Sequence, residues 1–181
     1  MGLKLADIER LFAEHGDLEY SGEGVTQLEH ALQAAGLAEK EGAGDLLVTA
    51  ALLHDLGHVL NLQGETPSAR GIDDQHQFFA IPFLRPLFPP AVIEPIRLHV
   101  DAKRALCELE PEYYEGLSED SKRSLTLQGG IFTRHEREAF MAKPFAADAV
   151  RVRRWDDAAK NPKAATQPLS HFLEVAARCA L

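Results

Sequence analysis

Residues 45–60 read DLLVTAALLHDLGHVL, a nearly continuous apolar run with its polar groups gathered towards its end. Apolar residues on every face predict a helix covered on all sides, the centre of the fold. On one continuous helix His54 and His58 lie a turn apart on a shared face, with Asp55 about a quarter-turn away. A buried His–Asp pair is costly to desolvate unless something compensates it. A core histidine hydrogen-bonded to an acid is the simple alternative, but that cost favours a metal. Asp55 has two carboxylate oxygens, so it can bridge two ions; an imidazole nitrogen cannot do so and keep its tautomer fixed.

Outward from this segment the pattern is helical almost everywhere, and strand signals are nearly absent. Leu5, Ile8, Leu11 and Phe12 give helical spacing from Leu3 to His15, with Gly16 as the stop. A loop, Asp17–Gly24, precedes a helix from Val25 to Lys40, and Gly42 and Gly44 separate that helix from the central one. After a polar loop from Gly64 to Gly71, Asp73 and Asp74 are expected to cap a helix running through His76, Phe79 and Phe83 to the prolines at 86, 89 and 90. Ala91–Leu109 carries His99, and further helices are predicted at Ser118–Gln128, Thr133–Ala142, Ala146–Ala159 and Pro168–Ala180. The expected fold class is all-α, a single helical bundle spanning residues 1–181.

Four histidines recur through these helices at His30, His54, His76 and His99, at intervals of 24, 22 and 23 residues. Such intervals suit helical hairpins that return the chain to one centre. With Asp55 and Asp156 they make six potential ligands, too many for one ion, so two metals are expected. Imidazole and carboxylate without thiolate suit iron. Lys103 follows His99 by four residues and Arg153 precedes Asp156 by three, which puts a cation on the same helical face as each ligand. A solvated basic face is the ordinary reading of such residues. The spacing argues instead for contacts to an anionic substrate, whose removal weakens substrate binding and leaves the metal in place.

The net charge of −9 opposes binding to nucleic acid or to an anionic membrane surface. There is no run of 18 apolar residues, and MGLKLADIERLFAEHG is an amphipathic start containing acids, unlike a signal peptide. A cytoplasmic protein acting on a small molecule is expected. Cys107 and Cys179 form no CxxC pair and read as plain thiols.

Taken together, YSGEGVTQLEHALQAA (Tyr20–Ala35), LLHDLGH (52–58), QHQ around His76, LHVDAKR (98–104) and VRRWDDAAK (152–160) resemble the HD-domain superfamily of metal-dependent enzymes. Within it they are most similar to the mixed-valent di-iron oxygenase branch that cleaves the carbon–phosphorus bond of 1-hydroxyalkylphosphonates. The resemblance implies one Fe(II)/Fe(III) pair with O2 as co-substrate. It assigns one iron to His30, His54 and Asp156, the other to His76 and His99, and the bridge to Asp55. It also selects Asp156 over Asp157, because the ligand follows the tryptophan.

The same resemblance implies that Tyr20 and Glu23 belong to a loop over the site, the tyrosine near the metal and the glutamate facing a substrate amino group. It gives Ser121 and Thr126 as hydroxyl donors to the phosphonate. His58 is expected to donate to the phosphonate or to take part in proton transfer. The implied reaction converts 2-amino-1-hydroxyethylphosphonate to glycine and phosphate. Glu23 also fits a plain first-turn acid, and Ser121 and Thr126 fit caps. The rival enzyme class is an HD-domain phosphohydrolase, which needs fewer ligands. A non-catalytic metal-binding or sensing module is the rival outside catalysis.

Overall fold

The structure, a computed structural model, describes residues 2–62 and 66–181. Its helices are α1 (Leu5–His15), α2 (Gln27–Lys40), α3 (Asp45–Leu53), α4 (Leu56–Leu60), α5 (His76–Phe79), α6 (Ile81–Leu84), α7 (Pro90–Leu109), α8 (Pro111–Gly116), α9 (Glu119–Leu127), α10 (Arg134–Met141), α11 (Ala146–Ala158) and α12 (Leu169–Cys179). A short 3-10 turn covers Pro67–Arg70. Among the described residues the sole β pairing is an isolated bridge between Glu19 and Thr26. The expected all-α class is what the chain forms.

Local chemistry explains the helix starts. Thr26 and Glu29 form a reciprocal capping box at α2, and Thr133 and Glu136 do the same at α10. Ser118 accepts from the Ser121 amide at the start of α9. Helix α3 packs against α2, α7 and α12, and α7 against α11. The main core gathers Ile8, Phe12, Leu52, Leu53, Leu56, Ile93, Ile96, Trp155 and Phe172, all nearly inaccessible. Each such side chain contributes about 1.5–3 kcal/mol on burial. His30, His54, His99 and Asp156 sit on α2, α7 and α11 and just past α3, where these helices converge, and are buried with the core.

Three expectations are corrected here. The central helix is not continuous from 45 to 60: it stops at Leu53, and Asp55 takes φ −105°, ψ 14° before α4 begins. His54 and His58 consequently do not act on one face. The turn instead aims the two Asp55 oxygens at different histidine pairs. Gly57, just past it, lies against the backbone of His76; a Cβ there would stand 2.1 Å from the His76 carbonyl oxygen. Only glycine permits α4 and α5 to approach so closely.

The helix expected after Asp73–Asp74 is two short ones, α5 and α6. Pro82 has no N–H to return to the Phe78 carbonyl, so the first helix ends. Gln75, in the left-handed region at φ 49°, is the residue before α5, and Asp74 turns its carboxylate inward to the His58 and His76 rings, keeping only a long 3.4 Å bond from the His76 amide. Of the polar loop expected from Gly64 to Gly71, Gly64 and Glu65 lie outside the described residues; Pro67–Arg70 is the 3-10 turn. Helix α8 was not expected from the sequence.

Gly57→Ala forces that Cβ into the His76 backbone. We expect it to cost about 1–3 kcal/mol of stability, read by thermal or denaturant unfolding, and to loosen metal binding at His76. An alanine variant as stable as the parent contradicts this packing.

Candidate functional site

Two groups of ligand atoms share Asp55. In the first, His30 Nε2 lies 3.1 Å from His54 Nε2 and 3.4 Å from Asp156 Oδ1. Asp55 Oδ2 stands 3.5 and 3.4 Å from those two histidine nitrogens. In the second, His76 Nε2 and His99 Nε2 are 3.2 Å apart, and Asp55 Oδ1 lies 3.2 and 3.5 Å from them. Metal–ligand bonds of roughly 2.0–2.2 Å hold neighbouring ligand atoms about 3–3.5 Å apart. Both groups fit that spacing.

The far side of each ring fixes which nitrogen faces inward. Nδ1 of His30 donates to the Ala159 carbonyl at 2.9 Å, that of His54 to Ala51 at 2.8 Å, and that of His99 to Ile96 at 2.7 Å. His76 Nδ1 donates to Asp74 Oδ1 at 2.9 Å. With the proton on Nδ1, every Nε2 turns a lone pair into the cluster. Two lone pairs 3.1 Å apart repel unless a proton or a metal cation lies between them. Asp55 Oδ1, fully buried, has no hydrogen-bond donor, which is the mark of an oxygen meant for a metal.

Electrostatics agree. Burial alone would hold His54 neutral, but the Asp55 and Asp156 carboxylates outweigh it and push the imidazole up to about 10. Burial likewise opposes charge on His76, and Asp55 and Asp74 push it up to about 9. His99 is driven down to about 4 by its burial. The carboxylates therefore call for positive charge inside the cluster. Protons meet that call in the metal-free protein, and bound metal displaces them, so metal loading releases protons.

Other residues hold this arrangement. The Tyr20 hydroxyl donates to Asp55 Oδ2 at 2.8 Å and reaches Asp156 Oδ1 at 3.5 Å, while its ring stacks on His30 at 3.9 Å. Burial and the two acids raise the phenol well above its ordinary value, so it stays a neutral donor. Arg153 Nη1 pairs with Asp156 Oδ2 at 2.7 Å.

A cleft opens above the two ligand groups, lined by Tyr20, His58, Lys103, Ser121, Ser124 and Arg153, with Asp55 and Asp156 at its floor. Its free volume of about 50 Å³ holds roughly four water molecules. Lys103 Nζ donates to Ser124 Oγ at 2.9 Å, and Arg153 Nη2 reaches Ser121 Oγ at 3.5 Å. The buried ammonium and guanidinium of this one cleft face a hydroxyl row on α9.

The structure thus brings together His30, His54, Asp55, His76, His99 and Asp156, with Tyr20, His58, Lys103, Ser121 and Arg153 around them. It places one residue, Thr126, away from the cleft. Thr126 is exposed and returns its hydroxyl to the Lys122 carbonyl, because it lies on the outer face of α9. Ser124 and Gln128, three and seven residues past Ser121, share its face and line the cleft. Glu23 is already paired, its Oε1 3.2 Å from Lys160 Nζ, which also reaches Ser118 and Ser121. Asp157, the competing ligand, bonds Arg153 and Tyr113 instead. Asp74 and Lys160 were missed altogether; only the placing of Asp74 two residues before His76 pointed to it.

Lys103 yields a pH prediction. Its burial, with Arg153 nearby, pushes the ammonium down to about 7 against partial opposition from Asp156, Asp157 and Asp120. The cation is present below that pH and lost above it. For an anionic substrate, the ratio of kcat/KM between the parent and Lys103→Met should therefore fall as pH rises through about 7. A ratio constant with pH contradicts the assignment. The same shift makes the unfolded chain bind the extra proton between about 7 and 10.5, so Lys103 makes stability rise with pH in that window.

Comparison with known proteins agrees with this geometry. The HD domain model matches residues 27–140. Over 160 residues the chain is 46% identical to a hydroxymethylphosphonate dioxygenase of Gimesia maris, covering 88% of this chain and 79% of that one. It is 38% identical over 168 residues to a [1-hydroxy-2-(trimethylamino)ethyl]phosphonate dioxygenase (glycine-betaine-forming) of Leisingera caerulea, covering 93% and 86% of the two chains. An uncharacterized protein, L432, of Acanthamoeba polyphaga mimivirus is 33% identical over 168 residues, covering 91% and 76%. The chain belongs to the HD-domain family, in the branch represented by these phosphonate dioxygenases. The family match ends before α11, which supplies Asp156 and Arg153. Among the described residues no helix is long and apolar enough to cross a membrane.

Proposed function

We propose that the protein is a di-iron dioxygenase that uses O2 to cleave the carbon–phosphorus bond of a 1-hydroxyalkylphosphonate, and that the whole chain acts as one HD domain. The observation that carries this reading is the pair of ligand groups sharing Asp55, set directly beneath a cleft with two buried cations. Iron in both groups supplies the redox chemistry with dioxygen. The protein's own groups do the rest. Lys103 and Arg153 bind the phosphonate by charge-assisted hydrogen bonds, with the Ser121 and Ser124 hydroxyls filling the remaining oxygens. Tyr20 orients Asp55 and Asp156. His58 Nε2 faces the cleft and exchanges a proton with the substrate's 1-hydroxyl.

The second ligand group, His76 and His99 with Asp55, exceeds what the rival phosphohydrolase needs. On the substituent at C1, Lys160 already occupies one oxygen of Glu23, so a substrate ammonium would compete with a resident cation for that carboxylate. This favours a small uncharged substituent, as in hydroxymethylphosphonate, over the 2-amino-1-hydroxyethylphosphonate implied by the resemblance. The 46% identical relative is named for the former.

The test is aerobic turnover of hydroxymethyl-, 1-hydroxyethyl- and 2-amino-1-hydroxyethylphosphonate by iron-loaded protein, following phosphate and oxygen together. Equimolar oxygen uptake and phosphate release, best with the uncharged substrates, is expected. Phosphate release from phosphate esters without oxygen uptake overturns the oxygenase reading; preference for the amino substrate overturns the reading of Glu23.

A further inference from the structure

His58, Asp74 and His76 form a third close group of potential ligands, and its geometry is that of a clamp rather than a third metal site. Asp74 Oδ1 accepts from His76 Nδ1 at 2.9 Å, and Asp74 Oδ2 accepts from His58 Nδ1 at 2.7 Å. Those distances are hydrogen bonds, each Nδ1 carrying the proton that Asp74 accepts. The two imidazoles stack with centroids 4.1 Å apart and an interplanar angle of 23°. One carboxylate thus holds two rings in parallel. The Gly57 contact with the His76 backbone makes that stacking possible.

Each ring has a different task on its other side. His76 Nε2 faces Asp55 Oδ1 and His99 in the second ligand group. His58 Nε2 faces the cleft, 3.9 Å from Asp55 Oδ2. We propose that Asp74 is a positioning residue that fixes both tautomers at once, keeping the His76 Nε2 lone pair for the second metal and the His58 Nε2 lone pair for the substrate. A carboxylate suits this because both its oxygens accept. An amide cannot do both: with its oxygen towards His76, its NH2 meets His58 Nδ1 and drives the His58 proton onto Nε2.

The inference rests on the two-metal reading, and Asp74→Ala and Asp74→Asn test it through metal content as well as turnover. Metal is titrated into metal-free protein and counted per chain by elemental analysis, with His58→Ala as background. Asp74→Ala is expected to weaken the second ion roughly 10–100-fold and leave the first unchanged, which also reports that the variant is folded. Asp74→Asn is expected to keep both ions within a few-fold, yet lower kcat at least tenfold, and to have no further effect on kcat when His58 is already alanine. Normal binding of the second ion by Asp74→Ala, or normal kcat for Asp74→Asn, overturns the proposal. A parent protein that itself binds a single ion overturns the two-metal reading instead.

Discussion

Under the proposed two-metal reading, replacing Asp55 with asparagine should reduce bound metal from two ions per chain to one and lower turnover by about 1,000-fold. Oδ2 of Asp55 faces His30 and His54, whereas Oδ1 faces His76 and His99 and has no donor. An asparagine offers an oxygen to one side and an NH2 to the other, and the NH2 presents positive hydrogens where a cation belongs. The size of the side chain barely changes, so packing against α3 and α5 is preserved and the loss reports coordination. One ion is worth several kcal/mol of charge stabilisation in reactions of this kind, and each 1.36 kcal/mol is tenfold in rate. Metal analysis and steady-state kinetics read both effects. Two ions per chain in the asparagine variant, or near-normal turnover, would remove the bridge from the account.

The second large effect concerns Arg153. From the sequence it reads as a substrate contact whose loss spares the metal. The structure changes that expectation, because its guanidinium pairs with Asp156 Oδ2 at 2.7 Å inside the core, both side chains being at most 5% exposed. Arg153→Ala leaves the Asp156 charge buried and without its partner, which costs about 3–5 kcal/mol. We expect unfolding at correspondingly lower denaturant, weaker binding of the ion held by His30, His54 and Asp156, and loss of phosphonate affinity. Bound metal should restore part of the stability by neutralising Asp156. A variant with parent stability, or one that loses substrate affinity alone, contradicts this.

The two predictions mark what is legible in the chain and what is not. His54 and Asp55 could be read because a buried imidazole or carboxylate in an apolar helix is expensive, whereas His30, His76, His99 and Asp156 are assigned through the even spacing of the histidines and the motifs that carry the family resemblance. The helix starts expected at Val25, Ser118 and Thr133 fall within two residues of those the chain forms, where Thr26, Ser118 and Thr133 are the caps. The break at His54–Asp55 could not be read: the apolar helical pattern runs on from Leu46 to Val59 through Gly57, and the interruption answers the distant backbone of His76 that Gly57 meets. Tertiary contact there overrides local preference. For α9 the error was one of angle. Ser121 and Thr126 are five residues apart and diverge around the helix, whereas Ser121, Ser124 and Gln128 keep to one face.

Polar partners distant in sequence were the least legible. Asp74 reads as a cap because it precedes a helix, and its inward turn depends on where α4 brings His58. Glu23 reads as a free loop acid. Its partner Lys160 is 137 residues away, beyond any local pattern.

Anomalous diffraction at the iron edge from iron-loaded crystals tests the central claim most directly. The account predicts two peaks per chain, one among His30, His54, Asp55 and Asp156 and one among Asp55, His76 and His99, with the Asp55 carboxylate spanning them. A single peak, or a peak among His58, Asp74 and His76, would contradict it.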